Sequence, residues 1–199
     1  MEFTMSVPWS LLGFAVAASV TPGPNTLMVS AMGAAGGWRA PLPAMLGITL
    51  GFMLLLVLTS LGLAAPLAAS PSLHGVLRWV GVLWLLWLAW KIGHAPPPEP
   101  GAAPRGFGFL AAAAFQWVNP KAWMIALAAL PAFTAPGEAM LDAGLRIALT
   151  FGLISMPCLL VWALVGQGAG RLLRTPRHWR IFNIVMGLLL AASVLPLLR

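Results

Sequence analysis

The sequence predicts an all-α membrane protein with six transmembrane helices, arranged as a 3+3 inverted repeat. Three observations support this prediction: the composition, the length of the uncharged runs, and two helix breaks at corresponding positions. Of the 199 residues, 60% are hydrophobic and 8% are charged, whereas a soluble domain is about 45–50% apolar and about 25% charged. So few charged residues could not cover the surface of a soluble globule, and the composition therefore indicates a chain that lies in the lipid bilayer.

The charged and sulfur-containing residues exclude several classes of protein. The net charge of +7 is the balance of 11 Lys and Arg against 4 Asp and Glu. The basic residues lie between uncharged runs and form no basic face that would bind nucleic acid. The single cysteine, Cys158, excludes a disulfide framework and a cysteine-cluster metal site. No Asp or Glu lies within a predicted span, which argues against a carboxylate-bound metal. We therefore expect no enzyme activity, no catalytic residue, no metal and no cofactor.

The first half of the chain, residues 1–92, contains three predicted spans. A transmembrane helix needs about 20 mainly apolar residues. The spans are predicted in the uncharged run at residues 3–38, near residues 42–65 and at about residues 73–91. The first run is too long for one straight helix, and the Pro22-Gly23-Pro24 motif interrupts it.

The second half, residues 106–199, follows a loop at residues 93–105 that contains too many prolines to be helical. Three further spans are predicted at residues 106–137, 147–170 and 181–198. The fourth span is interrupted at Asn119-Pro120 and contains one charged residue, Lys121. All of residues 1–199 are thus predicted to form a single polytopic membrane domain.

The loop charges predict how the chain is oriented in the membrane. Seven basic residues lie in the loops that join spans 1 and 2, 3 and 4, and 5 and 6: Arg39, Lys91, Arg105, Arg171, Arg174, Arg177 and Arg180. The opposite side carries three: Arg78, Arg146 and Arg199. Because cytoplasmic loops carry the excess of Lys and Arg, both termini are predicted to lie outside the cytoplasm.

The segments that follow the two breaks are similar. PNTLMV at residues 24–29 aligns with PKAWMI at residues 120–125. Each segment belongs to the first span of a three-helix half, and an odd number of spans reverses the orientation of the second half. This pattern predicts an inverted-topology repeat, which is a common plan of secondary transporters.

The two breaks are also the predicted substrate-binding site. Proline and glycine open a helix, and backbone groups freed in hydrocarbon need partners in protein or in a watery cavity. The helix that restarts after a break directs its free amides and positive dipole end towards that cavity, which suits an anion such as a carboxylate. A packing kink is the alternative for either break alone. The candidate binding residues are Pro22, Gly23, Pro24, Asn25, Asn119, Pro120 and Lys121.

Lys121 is the single residue that most strongly indicates a binding site. A lysine at the centre of a bilayer costs roughly 2.5–3.5 kcal/mol, and a cation in the first turn after Pro120 opposes the helix dipole. A compensating role in anion binding is therefore expected. The alternative is that the side chain snorkels to the membrane interface. Gln116, close to the same break, is interpreted as a structural partner of freed backbone groups.

These motifs resemble the LysE/RhtB family of amino-acid exporters. TPGPNTLM near the N-terminus resembles its first signature, and FQWVNPKAWMIALAALPAF resembles its second, with Asn119, Pro120 and Lys121 inside it. The resemblance extends over nearly the whole chain. It implies a multi-pass exporter in the inner (plasma) membrane of a bacterium, driven by an ion gradient. Departures at Pro41, Trp84 and Ala132 concern substrate identity more than fold.

The residues and the resemblance together predict export of a small amino acid or derivative by proton-coupled alternating access. A substrate of zero net charge is expected, because no span offers an Asp or Glu to pair with a cationic side chain. The alternatives are a channel or small-anion permease built on the same breaks, and a membrane accessory subunit that transports nothing. The expected partners are the amino acid, protons and the lipid bilayer. The sequence allows a homo-oligomer and does not require one.

Overall fold

A computed structural model describes residues 7–63, 70–98 and 107–195 of the chain. These residues form helices and no strands, which confirms the all-α prediction. The eight α-helices are α1 (Trp9–Val20), α2 (Pro24–Gly36), α3 (Leu42–Leu58), α4 (Pro71–Gly93), α5 (Phe109–Phe115), α6 (Pro120–Phe133), α7 (Met140–Leu172) and α8 (Pro176–Ala192). A π-helical turn, Thr59–Leu63, extends α3.

Among the described residues, two helical segments are long and apolar enough to cross a membrane, Leu42–Leu63 and Met140–Leu172. Trp9–Val20 and Pro120–Phe133 are apolar but shorter, since each break divides a predicted span into two pieces. The arrangement of six spans therefore stays a prediction. Large apolar side chains are exposed on the long helices, for example Leu83 at 64% and Leu153 at 75%, as expected of a surface that contacts lipid.

Both helix breaks lie where the sequence predicts them. α1 ends at Val20, and α2 begins at Pro24 after an extended Gly23. α5 ends at Phe115, and α6 begins at Pro120. Proline is favoured at the first position of a helix because its missing N–H would have no intrahelical partner there. The prolines therefore start new helices and do not merely bend continuous ones.

Some helix bounds differ from the uncharged runs that predicted them. α7 begins at Met140 rather than near residue 147, with Asp142 in its first turn, where a negative charge is favoured by the helix dipole. α8 begins at Pro176 rather than near residue 181, and the Thr175 side chain caps it by accepting from the His178 N–H. Helices extend beyond the apolar segment because charged residues at their ends need not enter the hydrocarbon. The predicted loop at 93–105 is described as far as residue 98: Gly93 is the last residue of α4, residues 94–98 form no helix, and residues 99–105 lie outside the described residues.

Helices of one half pack mainly against helices of the other half. α7 contacts α1, α2 and α3, while α3 also packs against α5, and α4 packs against α8. Glycines permit the closest of these approaches. An added Cβ at Gly33, Gly166 or Gly170 would overlap the backbone of Ala163, Ser30 or Ala34, respectively. The two breaks lie side by side in this packing.

Candidate substrate site between the two helix breaks

The first break has its backbone groups paired by side chains. The Thr26 hydroxyl accepts a hydrogen bond from the Gly23 N–H at 2.8 Å and donates to the Gly23 carbonyl at 2.9 Å. The indole Nε1 of Trp162 donates to the Val20 carbonyl at 3.1 Å. The loss of helical partners at the prolines is thus compensated within the protein, as an apolar environment requires.

The second break is built around two buried amide side chains, Gln116 and Asn119, which are 0% and 1% exposed. The Asn119 Oδ1 caps α6 by accepting from the Lys121 N–H at 3.1 Å. The Gln116 Nε2 donates to the Ala112 carbonyl at 3.0 Å. Sequence interpretation gave Gln116 such a structural role, and this hydrogen bond to the helix backbone agrees with it.

Gln116 has a second role that the sequence interpretation missed. Its amide exchanges two hydrogen bonds with Asn25 at the start of α2, at 3.0 Å and 3.2 Å. An amide side chain in an otherwise apolar helix indicates a need for a hydrogen-bond partner. That partner lies 91 positions away, so the sequence alone could not identify it. Gln116 therefore joins the second break directly to the first.

Lys121 makes the other direct connection between the breaks. Its Nζ donates to the Thr21 carbonyl at 2.6 Å, so the side chain extends from the start of α6 to the end of α1. Gly23 provides the space for it, because an added Cβ there would lie 3.0 Å from the lysine Cδ and 3.2 Å from its Nζ. The ammonium group is therefore directed towards the other break, as the hypothesis of a shared site requires.

A cavity of about 60 Å³ lies between the breaks. Five of the seven predicted site residues line it: Gly23, Pro24, Asn25, Asn119 and Lys121. Pro22 and Pro120 are absent from its described lining and act by shaping the breaks. Gln116, which the sequence assigned a structural role, also lines it, and so do residues that the sequence did not single out, including Thr26, Ile48, Phe52, Phe151, Ser155 and Leu159.

Lys121 is the one charged side chain among the described residues that line this cavity. The acidic residues nearest in sequence lie elsewhere. Glu138, in the loop between α6 and α7, forms an ion pair of 2.8 Å with Arg146. The hydrogen bonds from Arg146 and from the Ala135 N–H lower the pKa of Glu138, so the carboxylate stays ionised and occupied outside the cavity. No cluster that could hold a metal occurs among the described residues.

A cavity that lies between two interrupted apolar helices and is lined by a few polar groups is the kind of site that membrane transporters use. Residues 16–198 match the family described as LysE type translocator, and the chain belongs to this family. The predicted transporter class is thus confirmed, and with it the prediction that the chain is not an enzyme. The family assignment also places the chain in a bacterial membrane.

Two relatives define the similarity more closely. The Cysteine/O-acetylserine efflux protein of Salmonella choleraesuis (strain SC-B67) is 33% identical over 173 residues, which cover 86% of this chain and 87% of the relative. The protein of the same name from Escherichia coli (strain K12) is 32% identical over the same length and shares of each chain. No solved structure matches the chain.

Proposed function

We propose that the chain exports a small amino acid, or a close derivative, of zero net charge. The observation that carries this proposal is the hydrogen bond between Lys121 Nζ and the Thr21 carbonyl, which links the two breaks beside the cavity. The relatives named above are efflux proteins for cysteine and O-acetylserine. Both of those compounds are zwitterionic amino acids without a charged side chain.

The hydrogen bond suggests how a zwitterion would bind. A lysine ammonium and a backbone carbonyl are complementary to a carboxylate and an ammonium group, respectively. An amino acid that inserts between them would place its carboxylate on Lys121 and its ammonium on the Thr21 carbonyl. The N-terminal end of α6 adds its dipole to the attraction for the carboxylate.

The same arrangement disfavours arginine and lysine as substrates. A second cation in the cavity would be repelled by Lys121, and an unpaired charge in a site of low dielectric costs several kcal/mol. Glu138 is engaged by Arg146, and Asp142 is absent from the described lining of the cavity. Neither carboxylate is therefore placed to neutralise a cationic side chain.

We further propose that transport occurs by alternating access of two inverted three-helix halves. The contact pattern supports this repeat. The α3–α7 and α4–α8 pairs each join corresponding helices, and the α3–α5 contact has its counterpart in the α7–α1 contact. A site between the breaks would then be exposed to either side as one half rocks against the other. Proton coupling rests on the family resemblance.

We also propose an orientation of the chain in the membrane. The loops after α2 and after α7 would lie in the cytoplasm and the C-terminus outside it, in the inner membrane of the cell. A reporter enzyme that works only in the periplasm should be active when it is fused after Arg199, and one that works only in the cytoplasm should be inactive there. The opposite result would contradict this orientation and the loop-charge argument.

The decisive experiment measures export from cells loaded with dipeptides, one amino acid at a time, with and without this protein. Intracellular hydrolysis releases the amino acid, and we expect faster, saturable export of cysteine or serine, dependent on the proton gradient. Arginine and lysine should be exported no faster than in cells without the protein. Flux that does not saturate would indicate a channel, and unchanged efflux of every amino acid would indicate an accessory subunit.

A further inference from the structure

The cavity has an apolar wall that the breaks do not provide. Ile48 and Phe52 of α3 contribute to it, and so do Phe151, Ser155 and Leu159 of α7. The residues on α7 are four positions apart, as are those on α3, so each set lies along one face of its helix. Two packed helices therefore present a continuous surface to the space beside Lys121.

Two aromatic rings form the bulkiest part of this wall. Phe52 and Phe151 pack edge to face, with ring centroids 5.3 Å apart and an interplanar angle of 83°. Their side chains are almost fully buried, at 7% and 1% exposed. An edge-to-face pair of this kind is a favoured packing of aromatic rings.

The pair is supported on the side away from the cavity. Phe14 of α1 packs against Phe151 with centroids 6.1 Å apart, and Phe133 of α6 packs against Phe14 at 5.5 Å. Closely packed side chains have little space into which they can move. Phe151 therefore cannot swing aside to accommodate a larger ligand without displacing Phe14, and Phe52 is packed in turn against Phe151.

We propose that Phe52 and Phe151 set the width of substrate side chain that the site accepts. This inference rests on the proposed function, because it requires that the backbone of an amino acid binds at Lys121. Slim, unbranched side chains such as those of cysteine, serine and O-acetylserine fit beside the rings. Branched or aromatic side chains such as those of leucine and phenylalanine are excluded by overlap with them.

The test replaces one ring and follows the ratio of two export rates. Phe52→Ala should raise the rate of leucine or phenylalanine export, relative to cysteine export, by roughly tenfold or more, as expected when a hydrophobic pocket gains room for extra methylenes. Phe107→Ala is the matched control, because it removes the same group from a ring that packs against Trp84, with centroids 5.8 Å apart, and Phe107 is absent from the described lining of the cavity. This control should leave the ratio unchanged.

A second variant covers the case in which Phe52→Ala does not reach the membrane. Phe52→Leu retains most of the buried volume, and we expect it to give a smaller increase of the same ratio. Wild-type export of phenylalanine as fast as cysteine would overturn the inference. So would a folded Phe52 variant with an unchanged ratio, or an equal shift in Phe107→Ala. If the wild type exports no amino acid at all, the proposed function fails instead.

Discussion

The two helix breaks interrupt their helices in similar ways but are stabilised differently. At the first break, between α1 and α2, the exposed backbone carbonyls are paired by side chains from other helices, Trp162 and Lys121. At the second break, between α5 and α6, the Asn119 Oδ1 accepts from the Lys121 N–H, and the Lys121 Nζ donates to the Thr21 carbonyl. The first break therefore provides backbone acceptors, and the second provides a side-chain donor, the Lys121 ammonium group. A zwitterionic substrate needs one of each.

The helices that follow the breaks also differ. α2 packs closely along α7, whereas its counterpart α6 makes only limited contact with α3 and α7. In an inverted repeat, the α2–α7 and α6–α3 contacts would be equivalent. The structure is thus asymmetric, because the α2–α7 contact is close and the α6–α3 contact is limited. The proposed rocking motion would loosen the first contact and tighten the second. Substitutions at the two breaks should therefore have different effects on export.

The largest effect is expected from Lys121→Ala. This variant removes the one charged group in the described cavity lining and leaves the Thr21 carbonyl without its donor. We expect export to be abolished while the protein still accumulates in the membrane. The rate of export from dipeptide-loaded cells measures the change.

Lys91→Ala is the matched control for that variant. Lys91 is exposed, and its Nζ lies 5.0 Å from the Trp87 ring centroid, away from both breaks. Its removal should leave export near the wild-type rate. Substantial export by Lys121→Ala would show that the second break does not supply the donor for the substrate.

Gly23→Val should displace the Lys121 side chain without removing it. We expect export to fall by roughly tenfold, because binding groups are sensitive to small misplacements. The space in question is narrow, since even a Cβ at this position would lie 3.0 Å from the lysine Cδ. Gly13→Val on α1 is the control, as a Cβ there meets nothing within 4 Å. If both variants lost export to a similar extent, the loss would come from replacing a glycine with valine and not from displacing Lys121.

A double-mutant cycle at Asn25 and Gln116 tests the amide link between the breaks. Each single change to leucine leaves a buried amide without its partner and should lower the free energy of unfolding by about 1–3 kcal/mol. The double variant should lose less than the sum of the two. Thermal unfolding in detergent measures the coupling, and strictly additive losses would mean that the two amides do not depend on one another.

The smallest effect is expected from Glu138→Gln, which lies outside both breaks. The pair with Arg146 is partly exposed, and such pairs contribute about 0–1 kcal/mol. Because the pKa of Glu138 is lowered from 4.5 by Arg146 and the Ala135 N–H, this stability is present above pH 4.5 and is lost as the pH falls below it. The stability difference between wild type and variant should therefore shrink in acid. Export at neutral pH should not change.

Local chemistry explains which features were predictable from the sequence. Proline is disfavoured inside a helix and favoured at its start, so the clustered Pro22 and Pro24, and Pro120 after Asn119, located both breaks, and the isolated charge of Lys121 indicated a candidate site. The apolar wall was not predictable, because Phe52 and Phe151 are ordinary residues of apolar helices until α3 and α7 are brought together. The same is true of the Asn25–Gln116 pair, whose members meet only in the folded chain.

The packing of α2 against α7 has a consequence for how the protein is made. Ser30 on α2 donates to the Trp162 carbonyl on α7, and these residues are 132 positions apart. At a synthesis rate of about 5–20 residues per second, α2 leaves the ribosome several seconds or more before its partner does. In the proposed six-span arrangement α2 would spend that interval in lipid, which it can do because it carries no charged residue. Lys121 is synthesised after Thr21, so its acceptor would already be in the membrane when the charge is inserted.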